Sequence, residues 1–178
     1  MHPIVFLSLD AILTERHEAA FRSLFALRCF GSMGEAQSRS EALVGASVAQ
    51  QLSLIVSENS PCFVVTSLHL PDVDRQQMQG HMNLMGLKTV GENLAEQWST
   101  DVKQSSTRAD EISAWLANHA GDGDTYAIVD VEAFNQQVEG TCHEKHVVLI
   151  DSEQRSLSGL ASKVGAALRS FRGRKSVA

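Results

Sequence analysis

No run of apolar residues in this 178-residue chain approaches the roughly 18 that a membrane helix needs, so no spanning segment is expected. Cysteine is scarce. Cys29, Cys62 and Cys142 lie far apart and are odd in number, which argues against a secreted disulfide framework. Cys62 opens an apolar run and reads as a buried small hydrophobe. No basic region precedes the N-terminal apolar run, and Asp10 interrupts it, so no signal peptide is expected and the compartment is read as cytoplasmic. Internal repeats, low-complexity segments and long linkers are all lacking. Basic charge is in deficit, with 15 Lys+Arg against 21 Asp+Glu and a formal charge of −6, which argues against a DNA-coating protein.

What is there is an ordinary globular balance, 43% hydrophobic and 20% charged. That excludes a disordered chain, a collagen-like repeat and a disulfide-dense mini-protein. The length suits one domain, read here as 1–171, followed by a basic tail at 172–178. Arg169, Arg172, Arg174 and Lys175 are unopposed by any acid between 169 and 178. Such an end could meet an acidic partner or nucleic acid, or could be a solvated terminus whose cations follow a helix end.

Four short, nearly continuous apolar runs read as strands: Ile4–Leu9, Cys62–Thr66, Tyr126–Asp130 and His146–Ile150. Runs of this kind belong to a parallel sheet covered on both faces. A fifth strand is expected at Leu87–Val90. Helical spacing fills the gaps at 17–30, 41–57, 108–119 and 156–171, with Ser156 as a cap, and around Met78, Met82 and Met85. Residues 31–60 are read as mostly helix, and the Gly31–Gly34 and Gly121–Gly123 stretches as turns. The expected fold is an α/β three-layer sandwich with a mostly parallel five-stranded sheet and no large cap. Ligand sites in such folds lie at the carboxyl ends of the strands. Here those ends carry Ser8–Asp10, Thr66–His69 and Asp130–Glu132.

Four pieces then occur in order. The first strand reads IVFLSLDAIL, with Ser8, Asp10 and Ala11; the second reads FVVTS, with Thr66 and Ser67. RADEISAWL opens on Arg108 and continues through Glu111, Ile112, Trp115 and Leu116; AIVDVEAF carries Asp130 and Glu132. In this order and spacing the chain resembles the haloacid dehalogenase-like (HAD) superfamily of phosphohydrolases, most of all its small bacterial domains without a large cap. The resemblance spans about residues 3–171, loosely at 31–60 and 70–100. It implies a Rossmannoid sheet with the first strand central. It also implies an aspartyl nucleophile at position 8, a general acid at Asp10, and phosphoryl-oxygen binding by Thr66, Ser67 and Arg108. Magnesium would be held by Asp10, Asp130 and Glu132.

The chain departs from that pattern at its chemical centre. Position 8 is Ser8, a poor nucleophile without an adjacent base and no anionic metal ligand. Ala11 stands in place of a glycine, and Val131 interrupts the paired acids. No cofactor is therefore expected, and Mg2+ only if the site is active. The expected function is a pseudo-phosphatase that binds a protein partner or a phosphorylated ligand, with nucleic acid reachable through the basic tail and no membrane role. The alternative is a weak or altered magnesium-dependent phosphohydrolase. A purely structural role is equally open: Asp10 pairing with Arg108, Thr66 and Ser67 satisfying strand-end backbone, Asp130 capping a turn.

Other constellations are poorer. Cys142, His143 and His146 form C-H-x-x-H, but zinc wants a fourth ligand, so a loop with surface histidines is expected. Ser8, His69 and Asp130 make a hydrolase triad on paper without the Gly-x-Ser-x-Gly elbow. His17, His81 and His119 fall within helical patterns as flank or cap residues.

Overall fold

In the computed structural model the described residues are 2–13, 46–66, 73–100, 107–131, 134–150 and 159–170. The expected helix at 17–30, the glycine turn at 31–34, Ser156 and the tail at 172–178 lie outside them, as does the part of the 41–57 helix before residue 46.

Five strands form one sheet: β1 (Pro3–Ser8), β2 (Cys62–Thr66), β3 (Leu94–Ser99), β4 (Thr125–Val131) and β5 (Val147–Ile150). All pairings are parallel, in the order β3-β2-β1-β4-β5, so the first strand is central. The helices among the described residues are α1 (Leu9–Ile12), α2 (Ala46–Asn59), α3 (Arg75–Leu84), α4 (Lys88–Glu92), α5 (Arg108–His119), α6 (Asn135–Val138) and α7 (Leu160–Ser170). A 3-10 turn at Glu144–His146 precedes β5. No large cap occurs among the described residues, and no helix among them is long and apolar enough to cross a membrane.

Strand alternation divides the core into two layers. Val5, Leu7, Phe63, Val65, Ala127 and Val129 face α2, α3 and α7, where they meet Leu52, Ile55, Met78, Met82, Val164 and Leu168. Ile4, Phe6, Val64, Tyr126 and Ile128 face α5 and α6, where they meet Ile112, Trp115, Phe134 and Val138. Both faces of β1 are therefore dry, which is why its sequence runs apolar without alternating.

The fifth strand differs from expectation. Leu87–Val90 is not a strand: Leu87 caps α4, and Leu87 and Val90 bury the same side of that turn. The strand lies at Leu94–Ser99, whose LAEQWS leaves Glu96 and Gln97 exposed because β3 is a sheet edge. An edge strand buries too little to show a continuous apolar run. Gly86, at φ +80°, permits the turn between α3 and α4, where Leu87 N–H donates to Met82 O at 2.8 Å. The expected turn at Gly121–Gly123 is present, closed by Asp124 N–H to Gly121 O at 3.1 Å.

Candidate functional site at the strand ends

Because the sheet is parallel, the ends of β1, β2 and β4 arrive at one edge. Ser8 pairs in register with Thr66, and Leu7 with Val129, one step before Asp130. Alternation then places Ser8, Thr66 and Asp130 on the face covered by α5, continuing the columns of Phe6, Val64 and Ile128. All three are buried, with Ser8 and Asp130 at 0% exposure.

The first residue of α5 closes this edge. Thr107 and Asp110 form a capping box, in which Asp110 N–H donates to Thr107 Oγ1 at 3.2 Å and Thr107 N–H to Asp110 Oδ2 at 3.1 Å. The Thr107 hydroxyl also donates to Asp110 Oδ2 at 2.7 Å, the first cause holding that exposed carboxyl below its ordinary range. The box starts the helix at Arg108, whose backbone N–H donates to Gln137 Oε1 at 3.2 Å. Its guanidinium lies 5.8 Å from the centroid of the buried Phe134 ring, within cation–π reach.

From there Arg108 Nη1 donates to both oxygens of Asp130, at 2.6 and 2.5 Å, and to Ser8 Oγ at 3.3 Å. Burial pushes the Asp130 carboxyl above its ordinary value, while Arg108, the Val131 N–H at 2.7 Å and the Ser8 hydroxyl pull the other way. The arginine side chain is 21% exposed, so one end of the pair reaches water and the other does not. Glu111, on the next turn, is also buried and accepts from Thr100 Oγ1 at 3.4 Å.

Of the residues singled out by sequence, Ser8, Thr66, Arg108 and Asp130 come together. Asp10 lies on α1 directly after β1, but its side chain is outside the described set, as are Ser67, His69 and Glu132. Asp130 is a partner of Arg108, and the expected pairing of Asp10 with Arg108 lies outside the described residues. The elements that aim Arg108 were not anticipated. The Thr-x-x-Asp box was legible as a helix start, whereas Phe134 and Gln137 reach the site from a separate turn and leave no local signal.

Of the three magnesium ligands that the resemblance implies, only Asp130 has its side chain among the described residues, and by itself it fits magnesium poorly. The Asp130 carboxylate already has a guanidinium across both its oxygens, and Ser8 contributes a hydroxyl where a second charge is needed. Among the described residues no group of three or more His, Cys, Asp or Glu side chains is arranged to hold a metal ion.

Elsewhere, the histidines expected at the surface are buried. His143 and His146 are 3% and 6% exposed and pack against Tyr126. His146 stacks on the Tyr126 ring at 4.1 Å, and His143 meets it edge-on at 5.7 Å. His143 bonds the Tyr126 hydroxyl through Nδ1 at 3.0 Å and Ser113 Oγ through Nε2 at 2.7 Å. The ring of Tyr126 supplies a flat apolar wall that the sequence pattern did not reveal. Burial pushes the tyrosine hydroxyl up to about 12, so it stays protonated. Cys142 is exposed, and Cys62 is half-buried at the start of β2 with burial pushing its thiol up. His81 lies buried on α3, where Nδ1 meets Gln77 O at 2.5 Å, and His119 ends α5 beside Trp115.

A groove of about 630 Å³ opens at the opposite edge of the sheet, lined by Ile4, Cys62, Leu94 and Trp115 among others. It lies where the strands begin and touches none of Ser8, Thr66, Arg108 or Asp130. The carboxyl ends, where converging strand termini leave polar groups, are the better candidate. No protein-family model, curated protein or solved structure matches the chain.

Proposed function

We propose that this chain is a HAD-like domain that has lost aspartyl-phosphate chemistry and acts by binding a protein or phosphorylated ligand rather than by turnover. One observation carries the reading: the end of the central strand presents Ser8, a hydroxyl tied to Arg108 and Asp130, where covalent phosphoryl transfer would need a carboxylate. A carboxylate is too weak a base to take a serine proton, so Asp130 does not turn Ser8 into a nucleophile. The order β3-β2-β1-β4-β5 with β1 central supports the kinship, as do three polar strand ends on one face beneath the first residue of a helix.

The test is an assay of purified protein with magnesium and an aryl phosphate. No turnover above blank is expected. Metal-dependent turnover that disappears in Asp10→Asn would overturn the reading in favour of an altered phosphohydrolase.

A further inference from the structure

The two edges of the sheet are finished differently. At β3, Arg75 donates through Nε and Nη2 to Leu94 O at 3.1 and 2.7 Å and through Nε to Ala95 O at 3.1 Å, and Trp115 Nε1 donates to Gln97 O at 3.0 Å. Side chains there take up the carbonyls of the strand. At β5 nothing comparable occurs among the described residues. The strand pairs with β4 alone, and alternate residues of a strand turn N–H and C=O away from each neighbour. One side of Val147–Ile150 therefore carries backbone groups with no partner among the described residues. The usual protections of an edge are missing as well, since VVLI holds no proline and no charge and its register with β4 is unbroken. Leu149 is half-buried and belongs to neither core layer of the described residues.

A groove of about 550 Å³ runs along this edge, floored by Val147 and Leu149. Its wall is α7, where Lys163, Ala166 and Ser170 recur at i, i+3 and i+7. The small Ala166 leaves room for a backbone to approach. Lys145 stands where β5 begins. Lys145 and Lys163 are exposed, and neither forms an ion pair among the described residues. The acid beside Lys145, Glu144, is turned back to accept from Gly140 N–H at 3.3 Å. On a chain of formal charge −6, the groove thus carries two cations and no acid. An apolar strand edge flanked by cations fits an extended segment that alternates apolar and acidic side chains. A second copy fits it worse. Pairing β5 with itself about a two-fold axis sets both α7 helices on one face and brings Lys163 toward its own equivalent.

We propose that the open edge of β5 takes up an acidic, extended segment of a partner protein as an added strand, held by backbone hydrogen bonds to β5 and by the charges of Lys145 and Lys163. The surface uses none of Ser8, Thr66, Arg108 and Asp130, and it stands or falls apart from the phosphatase-like reading.

The probe is a labelled peptide, EVEVEVE with blocked ends, followed by fluorescence anisotropy on the full chain. Two further peptides separate the parts of the proposal: KVKVKVK reverses the charge, and EVEVEVE methylated at every peptide nitrogen removes the donors. EVEVEVE should bind saturably and at least about fivefold tighter than either. Lys145→Glu and Lys163→Glu should each weaken it about fivefold, whereas Lys88→Glu, the same charge change on α4, should alter it by less than about twofold. Bound peptide should slow amide hydrogen exchange within Val147–Ile150 and leave Leu94–Ser99 unchanged. No saturable binding would overturn the proposal. So would equal binding of the methylated peptide, an equal loss in Lys88→Glu, or protection at Leu94–Ser99 instead. A dimer seen by sedimentation without peptide, and lost in Leu149→Lys, would assign the edge to a second copy and overturn it too.

Discussion

The two ends of the Arg108–Asp130 pair are unequal in solvation, and that inequality decides which substitution hurts more. Asp130 is fully buried, whereas the arginine side chain is 21% exposed. Removing the guanidinium strands a carboxylate away from water; removing the carboxylate leaves a cation that can turn to solvent. Breaking a buried pair costs about 3–5 kcal/mol, and partial exposure of Arg108 points to the lower end. Arg108→Met should therefore destabilise by about 3 kcal/mol at neutral pH, and Asp130→Asn by less, as read by urea unfolding. Equal losses would mean that the buried carboxylate is solvated by something other than Arg108. The importance of position 108 was legible from RADEISAWL, since a basic residue at the head of an amphipathic segment stands out. That Asp130 is one of its partners was not legible. Asp10 and Asp130 are equally plausible carboxylates along the chain, and only the register of β1 with β4 sets Asp130 beside Ser8.

At the scale of elements, the turn before β5 is held down by aromatic and imidazole packing rather than by aliphatic burial. Burial pushes both His143 and His146 below their ordinary value of 6.5, and for His143 the neighbouring His146 adds to the effect. Below that value the unfolded chain binds more protons than the folded one. The contribution of these rings is thus fully present above about pH 6.5 and is lost as pH falls toward their folded values. The slope should reach at most about 1.4 kcal/mol per pH unit for each histidine. A His143→Gln variant should show a shallower fall in urea midpoint between pH 7 and pH 5 than wild type; a parallel fall would remove the histidine from the account. Strand β3 shows the same dependence on context. Its edge carbonyls at Leu94 and Ala95 accept from Arg75, and Trp115 Nε1 donates to Gln97 O at 3.0 Å, so side chains from neighbouring helices hold a segment with little apolar pattern of its own.

Across the whole molecule, stability concentrates where β1 is sandwiched. Phe6 is fully buried and meets Trp115 edge-on at 5.4 Å and Tyr126 at 6.2 Å, joining two strands to α5. Phe6→Ala should cost about 3–5 kcal/mol and flatten the near-ultraviolet dichroism of Trp115. A loss below about 1 kcal/mol would mean that the layer repacks around the cavity. The same central position makes β1 readable. A strand covered on both sides must be apolar at nearly every residue, so IVFL announces itself, as do FVV in β2 and AIV in β4. These runs, the helical stripes between them and the polar residues that end them determined, by themselves, an α/β domain with its candidate site at the strand ends. Which polar groups meet there was decided only by tertiary structure, as were the burial of His143 and His146 and the place of the edge strand. Local periodicity records which side of an element faces the core. It carries no record of the register between strands or of the partner that a charged side chain finds once water is excluded.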